Sequence, residues 1–239
     1  MLTKDKAIVI QKTQLAEKKC LVKLFTLGHG FIESVCFASN APSSKVKVNT
    51  LWPLALIEVE LLIRQNKDIH QLKETQPYFI SANTNSSLLK LNIVQLISEI
   101  LSKTIKVQHG NKELYNFIEE LIIQIDQRNE SELSNVINYF LIELTTYLGI
   151  EPQNNFSVVE TYFDCKAGEF TKYGLVMPLG FDAELSEKLS FCLKNNKIDF
   201  KLNAKARKDL IDGLLAYYSF HIPNFGHVRS LDVIRELII

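Results

Sequence analysis

The chain has 239 residues, 27 basic and 27 acidic side chains and a hydrophobic fraction of 46%. This length allows one large or two modest domains, and this hydrophobic content is sufficient for packed cores. No apolar run approaches the roughly 20 residues that a membrane-spanning helix needs, and the first residues lack the apolar core of a signal peptide. We therefore expect a soluble cytoplasmic protein, and the composition argues against the secreted and membrane classes.

The N-terminal part of the chain contains β-type runs without internal proline, separated by glycine, asparagine and lysine. Gly28-His29-Gly30 between the second and third runs is a hairpin signal, because glycine readily takes the positive φ of a tight turn. Gln65-Asn66 can close the last pair of runs. The number and length of the runs predict a five-stranded OB-fold barrel over residues 1–80. The runs are Lys6–Gln14, Cys20–Thr26, Phe31–Ser39, Leu54–Ile63 and Ile69–Thr75.

Charge is distributed unequally between the two parts of the chain. Residues 1–80 hold 11 Lys and Arg against 7 Asp and Glu, a net charge of +4, whereas residues 81–239 hold 16 against 20, a net charge of −4. In OB-folds the loops between strands border the face that binds oligonucleotides, where cations track phosphates and aromatic rings stack on bases. We expect a nucleic acid to bind at the basic residues of three predicted loops, although ordinary surface lysine explains a charge of +4 as well. These residues are Lys18, Lys19, Lys45, Lys47, Arg64 and Lys67.

Trp52, the single tryptophan, precedes Pro53 at the entry of the fourth run. It is either a base-stacking residue or a plug for the end of the barrel. The plug is the preferred interpretation, because tryptophan is usually largely buried.

Helical periodicity begins after residue 80 and predicts an α-helical domain over residues 81–239, so the fold class is α+β. Asn111 and Ser230 are the expected N-caps of two of its helices, and Gly149 is the expected end of another. Periodicity is lost over about residues 156–178, where an extended insert with a turn at Lys166-Ala167-Gly168 is predicted. The densest basic cluster of this domain is Lys201, Lys205, Arg207 and Lys208.

The sequence contains no phosphate-binding loop, dinucleotide fingerprint, metalloprotease motif or nucleophile elbow, which argues against an enzyme. A nuclease with dispersed acidic ligands is the least favoured alternative. The four cysteines, Cys20, Cys36, Cys165 and Cys192, form no C-x-x-C pair, so they are predicted to be buried thiols and not metal ligands. We predict neither a metal nor any other cofactor.

Several short stretches, in this order and spacing, resemble the bacterial RecO family of recombination mediators over nearly the whole chain. They are Lys6–Ile10, Leu24–Gly30, Leu51–Leu54, Asn111–Leu114, Tyr147–Gly149 with Pro152, Tyr162–Phe170 and His221–Pro223. The resemblance implies an OB-fold followed by a helical domain, and a role in the RecF pathway of DNA repair. It implies binding of single- and double-stranded DNA, annealing of complementary strands, and partnership with RecR and with the C-terminal tail of single-strand-binding protein (SSB), so that RecA can load. A nucleoid-associated location follows from the same role.

The chain departs from the family pattern in two places. Many relatives carry a four-cysteine zinc module where this chain has Tyr162–Phe170 with Cys165 alone, so zinc is expected to be absent. The usual basic segment after the third strand is replaced by Phe37–Ser44, which leaves Lys45 and Lys47 as its positive charges. The acidic SSB tail is expected at the basic cluster Lys201, Lys205, Arg207 and Lys208, because cations beside an apolar site suit an acidic, aromatic-ended peptide. The rival hypothesis is an OB-fold scaffold that binds protein and not DNA.

Overall fold

The computed structural model of the protein describes residues 1–106, 110–195, 197 and 202–238, without the side chains of residues 236–238. Within these ranges there are seven strands and seven α-helices. The strands are β1 (Leu2–Gln14), β2 (Lys19–Thr26), β3 (Gly30–Phe37), β4 (Leu56–Leu62), β5 (Ile69–Pro77), β6 (Tyr162–Asp164) and β7 (Glu169–Thr171). The helices are α1 (Ala82–Asn85), α2 (Leu88–Thr104), α3 (Lys112–Gln127), α4 (Val136–Leu148), α5 (Ala183–Lys194), α6 (Ala204–His221) and α7 (Ser230–Ile238).

The first five strands close into a barrel in the order β1-β2-β3-β5-β4, which confirms the predicted OB-type barrel followed by helices. All pairs are antiparallel except β3 with β5. A bulge between Val9 and Gln11 bends β1, so that one strand pairs with β4 through its first half and with β2 through its second. The interior is filled by alternate side chains of the strands, among them Val22, Leu24 and Ile57, which are fully buried.

The two predicted barrel turns are confirmed. β2 and β3 are joined at Gly28-His29-Gly30, where Gly30 has φ +71°. The carboxylate of Asp5 secures this turn by accepting from the backbone N–H of Gly28 at 3.0 Å and by pairing with His29 Nδ1 at 2.8 Å. The β4–β5 connection passes through Asn66 with φ +56°. Trp52 is partly buried against the barrel core, as the plug interpretation predicts.

By contact density the chain divides into two compact units: residues 1–128 with 228–234, and residues 129–227 with 235–239. The sequence instead predicts a domain boundary after residue 80. The helices α2 and α3 belong to the barrel's unit because they cover part of its outer surface. Ser98 of α2 donates a hydrogen bond to the carbonyl of Ile10, and the Tyr115 ring of α3 lies 5.9 Å from that of Phe25.

Helix α3 begins as predicted, since the Asn111 side chain accepts from the N–H of Leu114 at 3.0 Å. The expectation that Ser230 caps α7 is wrong. Ser230 is the first helical residue, and its backbone N–H and hydroxyl both donate to Glu99, at 2.8 and 2.6 Å. Glu99 therefore supplies the acceptor that a cap would have provided.

The second unit contains α4, the β6–β7 hairpin, α5 and α6. α4 ends at Gly149 with φ +69°, as predicted. The hairpin falls within the predicted extended insert, and its Phe163 ring lies 5.1 to 5.7 Å from the rings of Phe170, Phe181 and Tyr217. The tip of the Phe181 ring also contacts α6 at Gly213, where a Cβ would lie 2.3 Å from its Cζ atom. None of the helices in the described ranges is both long and apolar enough to cross a bilayer.

Candidate nucleic-acid interface

The outer face of β2 and β3 is defined by their register. Lys19 lies opposite Phe37, Leu21 opposite Val35, and Lys23 opposite Glu33. The alternate pairs, such as Cys20 with Cys36, face the barrel core. Successive side chains of a strand point to opposite sides, so the odd-numbered residues from Lys19 to Phe37 lie on the outside. We call this surface the β2–β3 face.

The β1–β2 loop lies at the Phe37 end of this face. The carbonyl of Lys18 accepts from the N–H of Ala38 at 2.9 Å, and the carbonyl of Lys19 accepts from that of Leu15 at 2.8 Å. These bonds fix the backbone of the loop while the Lys18 and Lys19 side chains remain exposed. In the described part of the chain no carboxylate pairs with either ammonium group. Both are available to an external anion.

The β4–β5 loop lies towards the other end, because Glu33 of β3 pairs with Ile69 at the start of β5. Lys67 in this loop is exposed, and no acidic partner is described for it. Arg64 is exposed, and its guanidinium lies 3.4 Å from the Gln71 side-chain oxygen. The N–H of Arg64 donates to Nδ1 of His70 at 3.3 Å, and burial, with the nearby Arg64 charge, lowers the pKa of His70.

The β3–β4 connection uses its two lysines differently. The Lys47 ammonium donates to the carbonyls of Ala41 and Pro42, at 2.7 and 3.1 Å, and so closes its own loop. Lys45 is exposed and lies 3.5 Å from the carboxylate of Glu74. The carbonyl of Lys45 accepts from the N–H of Thr75, which places this pair of lysines beside β5.

The six predicted cations therefore do not form one patch. Lys18 and Lys19 lie at one end of the β2–β3 face and Arg64 and Lys67 at the other, with the strands between them. Along β3, Phe37 is four residues from Glu33, which pairs with the start of β5, and four residues of strand correspond to about 13 Å. Lys45 and Lys47 lie outside this line. The register, which sequence could not fix, decides this arrangement.

The barrel surface formed by β1, β4 and β5 has the opposite character. Glu58 and Glu60 lie on the same outer side, as predicted, and the register brings Glu60 opposite both Lys4 and Glu74. These side chains line a groove of about 340 Å³ with Lys6 and Gln76. Carboxylates outnumber ammonium groups among the residues that line this groove, so its local charge disfavours a polyanion.

A second groove, of about 290 Å³, lies beside Glu33 on the β2–β3 face and was not predicted from the sequence. Lys23, Phe31 and Glu33 line it from the strands, and the end of α2 contributes Ser102 and Ile105. The Lys23 ammonium lies 3.8 Å from the Glu33 carboxylate. Alternation along β2 and β3 would have shown that these residues share a face, but their proximity to α2 is a tertiary contact without a sequence signal.

In the second unit, the structure brings together only some residues of the predicted peptide-binding cluster. Lys201 lies outside the described residues. Lys205 and Lys208 are exposed and one helical turn apart on α6. Arg207 is half-buried, and its guanidinium donates to the carbonyl of Leu202 at 2.7 Å. The buried Nε of Arg207 has no hydrogen-bond partner among the described atoms.

No set of three or more candidate metal ligands occurs within the described ranges. Cys165 lies in the segment where a zinc module was considered from the resemblance; it is buried, and burial raises its pKa to about 12. The adjacent hairpin is instead packed around Phe163, Phe170 and Phe181. These residues provide an apolar core and no site that fits a zinc ion.

A closed five-stranded barrel followed by helices places the chain among the OB-fold proteins. The family description "Recombination protein O N terminal" matches residues 1–79, and "Recombination protein O C terminal" matches residues 85–231. The chain belongs to the RecO family. This family consists of recombination mediators in DNA repair and is not an enzyme family, in agreement with the predicted absence of catalysis.

Similar proteins match from end to end. Proteins called DNA repair protein RecO from Flavobacterium johnsoniae and Flavobacterium psychrophilum are each 29% identical over 241 residues, covering 99% of both chains. The protein of the same name from Bacteroides fragilis is 25% identical over 241 residues, again with 99% coverage of each chain. The resemblance read from short stretches of sequence is thereby confirmed.

Proposed function

We propose that the protein binds single-stranded DNA along the β2–β3 face and acts as a recombination mediator that anneals complementary strands. The observation that carries this proposal is the exposure of Lys18, Lys19 and Lys67 at the two ends of that face, without acidic partners in the described structure. Phosphate contacts supply most of the affinity of proteins for nucleic acid. The carboxylates on the surface formed by β1, β4 and β5 disfavour binding of the strand on that side of the barrel.

Annealing by such a surface requires no catalytic side chain. Base pairing provides the free energy, and the protein neutralises phosphates so that two strands can approach each other. Each neutralised phosphate releases counterions, so affinity falls as salt rises. A plot of the logarithm of the binding constant against the logarithm of the salt concentration has a slope of about −0.7 per phosphate contact for single strands. Lys45 and Arg64, already in contact with Glu74 and Gln71, are expected to contribute less than the unpaired lysines.

The test is fluorescence anisotropy of a labelled oligonucleotide as a function of salt. The variant Lys18→Ala/Lys19→Ala/Lys67→Ala should bind more weakly at low salt, and its salt slope should be shallower by about 2. Lys166→Ala/Lys172→Ala/Lys197→Ala removes the same charge from exposed positions of the other unit and should leave the slope unchanged. Equal slopes in the two variants would refute the assignment. Failure of the wild type to bind at low salt would favour the protein-binding scaffold.

We also propose that the acidic C-terminal tail of SSB docks at the start of α6. Lys205 and Lys208 share one exposed face there, and the positive end of the helix dipole adds to their charge. Arg207 supports the site by holding the Leu202 carbonyl. A labelled tail peptide should bind Lys205→Ala/Lys208→Ala at least fivefold more weakly than Lys194→Ala/Lys197→Ala. Equal affinities would exclude this surface.

Family membership supports three further proposals: binding of double-stranded DNA, association with RecR, and assistance to RecA on SSB-coated strands. A nucleoid-associated location in the cytoplasm would follow from them. Co-sedimentation with purified RecR, with and without DNA, tests the partnership. RecA loading on SSB-coated DNA in the presence of both proteins tests the mediator role, and no acceleration would contradict it.

A further inference from the structure

Phe37 is an exposed aromatic residue at the end of the β2–β3 face. It is the last residue of β3, and 68% of its surface is exposed. Residues 1–77 are all described, and Phe37 is the most exposed aromatic side chain among them. A large apolar ring held in water by a regular strand has no role in the core of the barrel. Its exposed face is therefore accessible to a ligand.

The backbone around Phe37 leaves its ring little freedom to turn inward. Its neighbour Cys36 occupies the barrel interior, and the next residue, Ala38, is buried and bonded to Lys18. Strand alternation thus directs Phe37 outward. At the far end of β2 the corresponding outward residue, Phe25, is covered by Tyr115 of α3. At the Phe37 end, none of the described residues covers the ring in this way.

The immediate surroundings of Phe37 are cationic. Lys19 is its cross-strand partner, and side chains directly opposite each other have Cβ atoms about 5 Å apart. Lys18 is tied to the same end through its bond to Ala38. Leu15, 52% exposed, adds an apolar edge from the same loop. An exposed ring beside two unpaired ammonium groups matches a nucleotide, which has a flat base and a negatively charged phosphate.

We propose that Phe37 stacks on an unpaired base of a strand whose phosphates are bound by Lys18 and Lys19, and that it gives the protein a preference for single-stranded over double-stranded DNA. This inference rests on the proposed function. Lysine side chains can bind single-stranded and double-stranded DNA alike, because both expose phosphates. Stacking on a protein ring requires a base with a free face, which only an unpaired strand offers along its length.

The decisive variant is Phe37→Ala, compared with Phe191→Ala in α5, whose ring is 51% exposed. Because the Phe37 ring is mostly in solvent, its removal should leave the thermal midpoint unchanged. We expect Phe37→Ala to bind single strands about tenfold more weakly, with duplex affinity within twofold of the wild type. The salt slope should not change, since no charge is removed. Phe37→Trp should retain affinity and show quenched fluorescence on adding oligonucleotide, beyond the response of Trp52 in the wild type.

The outcomes separate this inference from the function on which it rests. If the wild type binds with a salt-dependent affinity but Phe37→Ala binds single strands equally well, stacking is refuted and the lysine assignment stands. If Phe37→Ala loses affinity for single and double strands alike, the selectivity role is refuted. If the wild type binds neither form at low salt, the proposed function fails and the inference fails with it.

Discussion

Lysines in the barrel loops look alike in sequence, but their ammonium groups have different roles. Lys18 is exposed and unpaired in the described structure, whereas Lys47 bonds the carbonyls of Ala41 and Pro42. The sequence pattern predicts DNA contacts for both, because both lie in loops of a basic barrel. The distinction depends on where the backbone of one loop directs its carbonyl groups, and this has no local sequence signal.

Replacing Lys47 should therefore affect stability before it affects binding. Lys47→Ala removes two hydrogen bonds from a charged donor, and we expect the free energy of unfolding to fall by about 1 kcal/mol. Lys18→Ala, at an exposed position, should change it by less than about 0.5 kcal/mol. Urea denaturation of the two variants provides the comparison. Equal stability of both would show that the loop does not need its Lys47 contacts.

Buried thiols give the protein a predictable response to alkaline pH. Burial raises the pKa of Cys36 to about 12, with further contributions from the neighbouring Cys20, and burial alone does the same for Cys192. A pKa higher in the folded than in the unfolded protein stabilises the fold below the ordinary value of 9.0, and this stabilisation is lost as pH rises towards 12. The urea midpoint should be constant between pH 7 and 8 and should fall above pH 9.

The magnitude of this effect is about 2 kcal/mol per thiol at a pH near 10.5. Cys192→Ala removes one such thiol. Its urea midpoint should therefore fall less steeply above pH 9 than that of the wild type, when each protein is compared with its own midpoint at pH 7. Thiol labelling provides an independent check, because all four cysteines are buried. The folded protein should react slowly with a maleimide at pH 8, whereas the unfolded protein should be labelled rapidly at all four cysteines. Rapid labelling of the folded protein would contradict the burial.

At the scale of elements, Glu99 determines how α7 begins. Its carboxylate accepts from the N–H groups of Arg229 and Ser230 and from the Ser230 hydroxyl, and it lies 3.7 Å from the Lys103 ammonium. Burial opposes its ionisation, but the hydrogen bonds from Ser230 and Arg229 outweigh burial and lower the pKa of Glu99. This contribution to stability is present above the ordinary carboxyl pKa and is lost as pH falls through the folded value.

Glu99→Ala should cost about 2 kcal/mol of unfolding free energy at pH 7, because it leaves the first N–H groups of α7 without their charged acceptor. Glu99→Gln retains one oxygen acceptor and should cost less. Ser230→Ala removes only the hydroxyl donor and should cost least. The difference between wild type and Glu99→Ala should shrink below pH 4; a difference that persists there would assign the effect to packing.

The β6–β7 hairpin depends on aromatic packing. Phe163 is 1% exposed and lies against three other rings, so Phe163→Ala should lower the free energy of unfolding by about 3 to 5 kcal/mol. Val158→Ala, at a site 96% exposed in the same insert, should be close to neutral.

A chelator should leave the thermal midpoint of the wild type unchanged. A chelator-induced drop in the midpoint would show that the insert holds a metal.

Elements with strong local signals were predicted well. The barrel strands, the turn at Gly28-His29-Gly30 and the Asn111 cap depend on alternation, glycine conformation and side-chain capping, which a few neighbouring residues determine. Features set by distant residues were not found. The cap of α7 by Glu99 joins positions 131 residues apart, and the exposure of Phe37 depends on a register that propensity does not fix.

At the scale of the whole molecule, opposed charges in one chain should produce self-association at low salt. The net charge is zero, with +4 in residues 1–80 and −4 in the remainder, so unlike regions of two molecules attract each other. The Debye length falls from about 30 Å at 0.01 M to about 8 Å at 0.15 M salt, which screens this attraction. Light scattering should show a weight-average mass that decreases as salt rises. Lys18→Ala/Lys19→Ala/Lys67→Ala should weaken the association, and a salt-independent mass would contradict an electrostatic cause.

The contact between Phe181 and Gly213 has a consequence for how this sequence can diverge. Any side chain at 213 would overlap the Phe181 ring, whose Cζ atom lies 2.3 Å from the place of a Cβ. Gly213→Ala alone should destabilise the second unit, although alanine is the better helix former. Combined with Phe181→Leu, the same change gains room and should be tolerated. The two positions are therefore expected to covary, with a bulky residue at one accompanied by a small residue at the other.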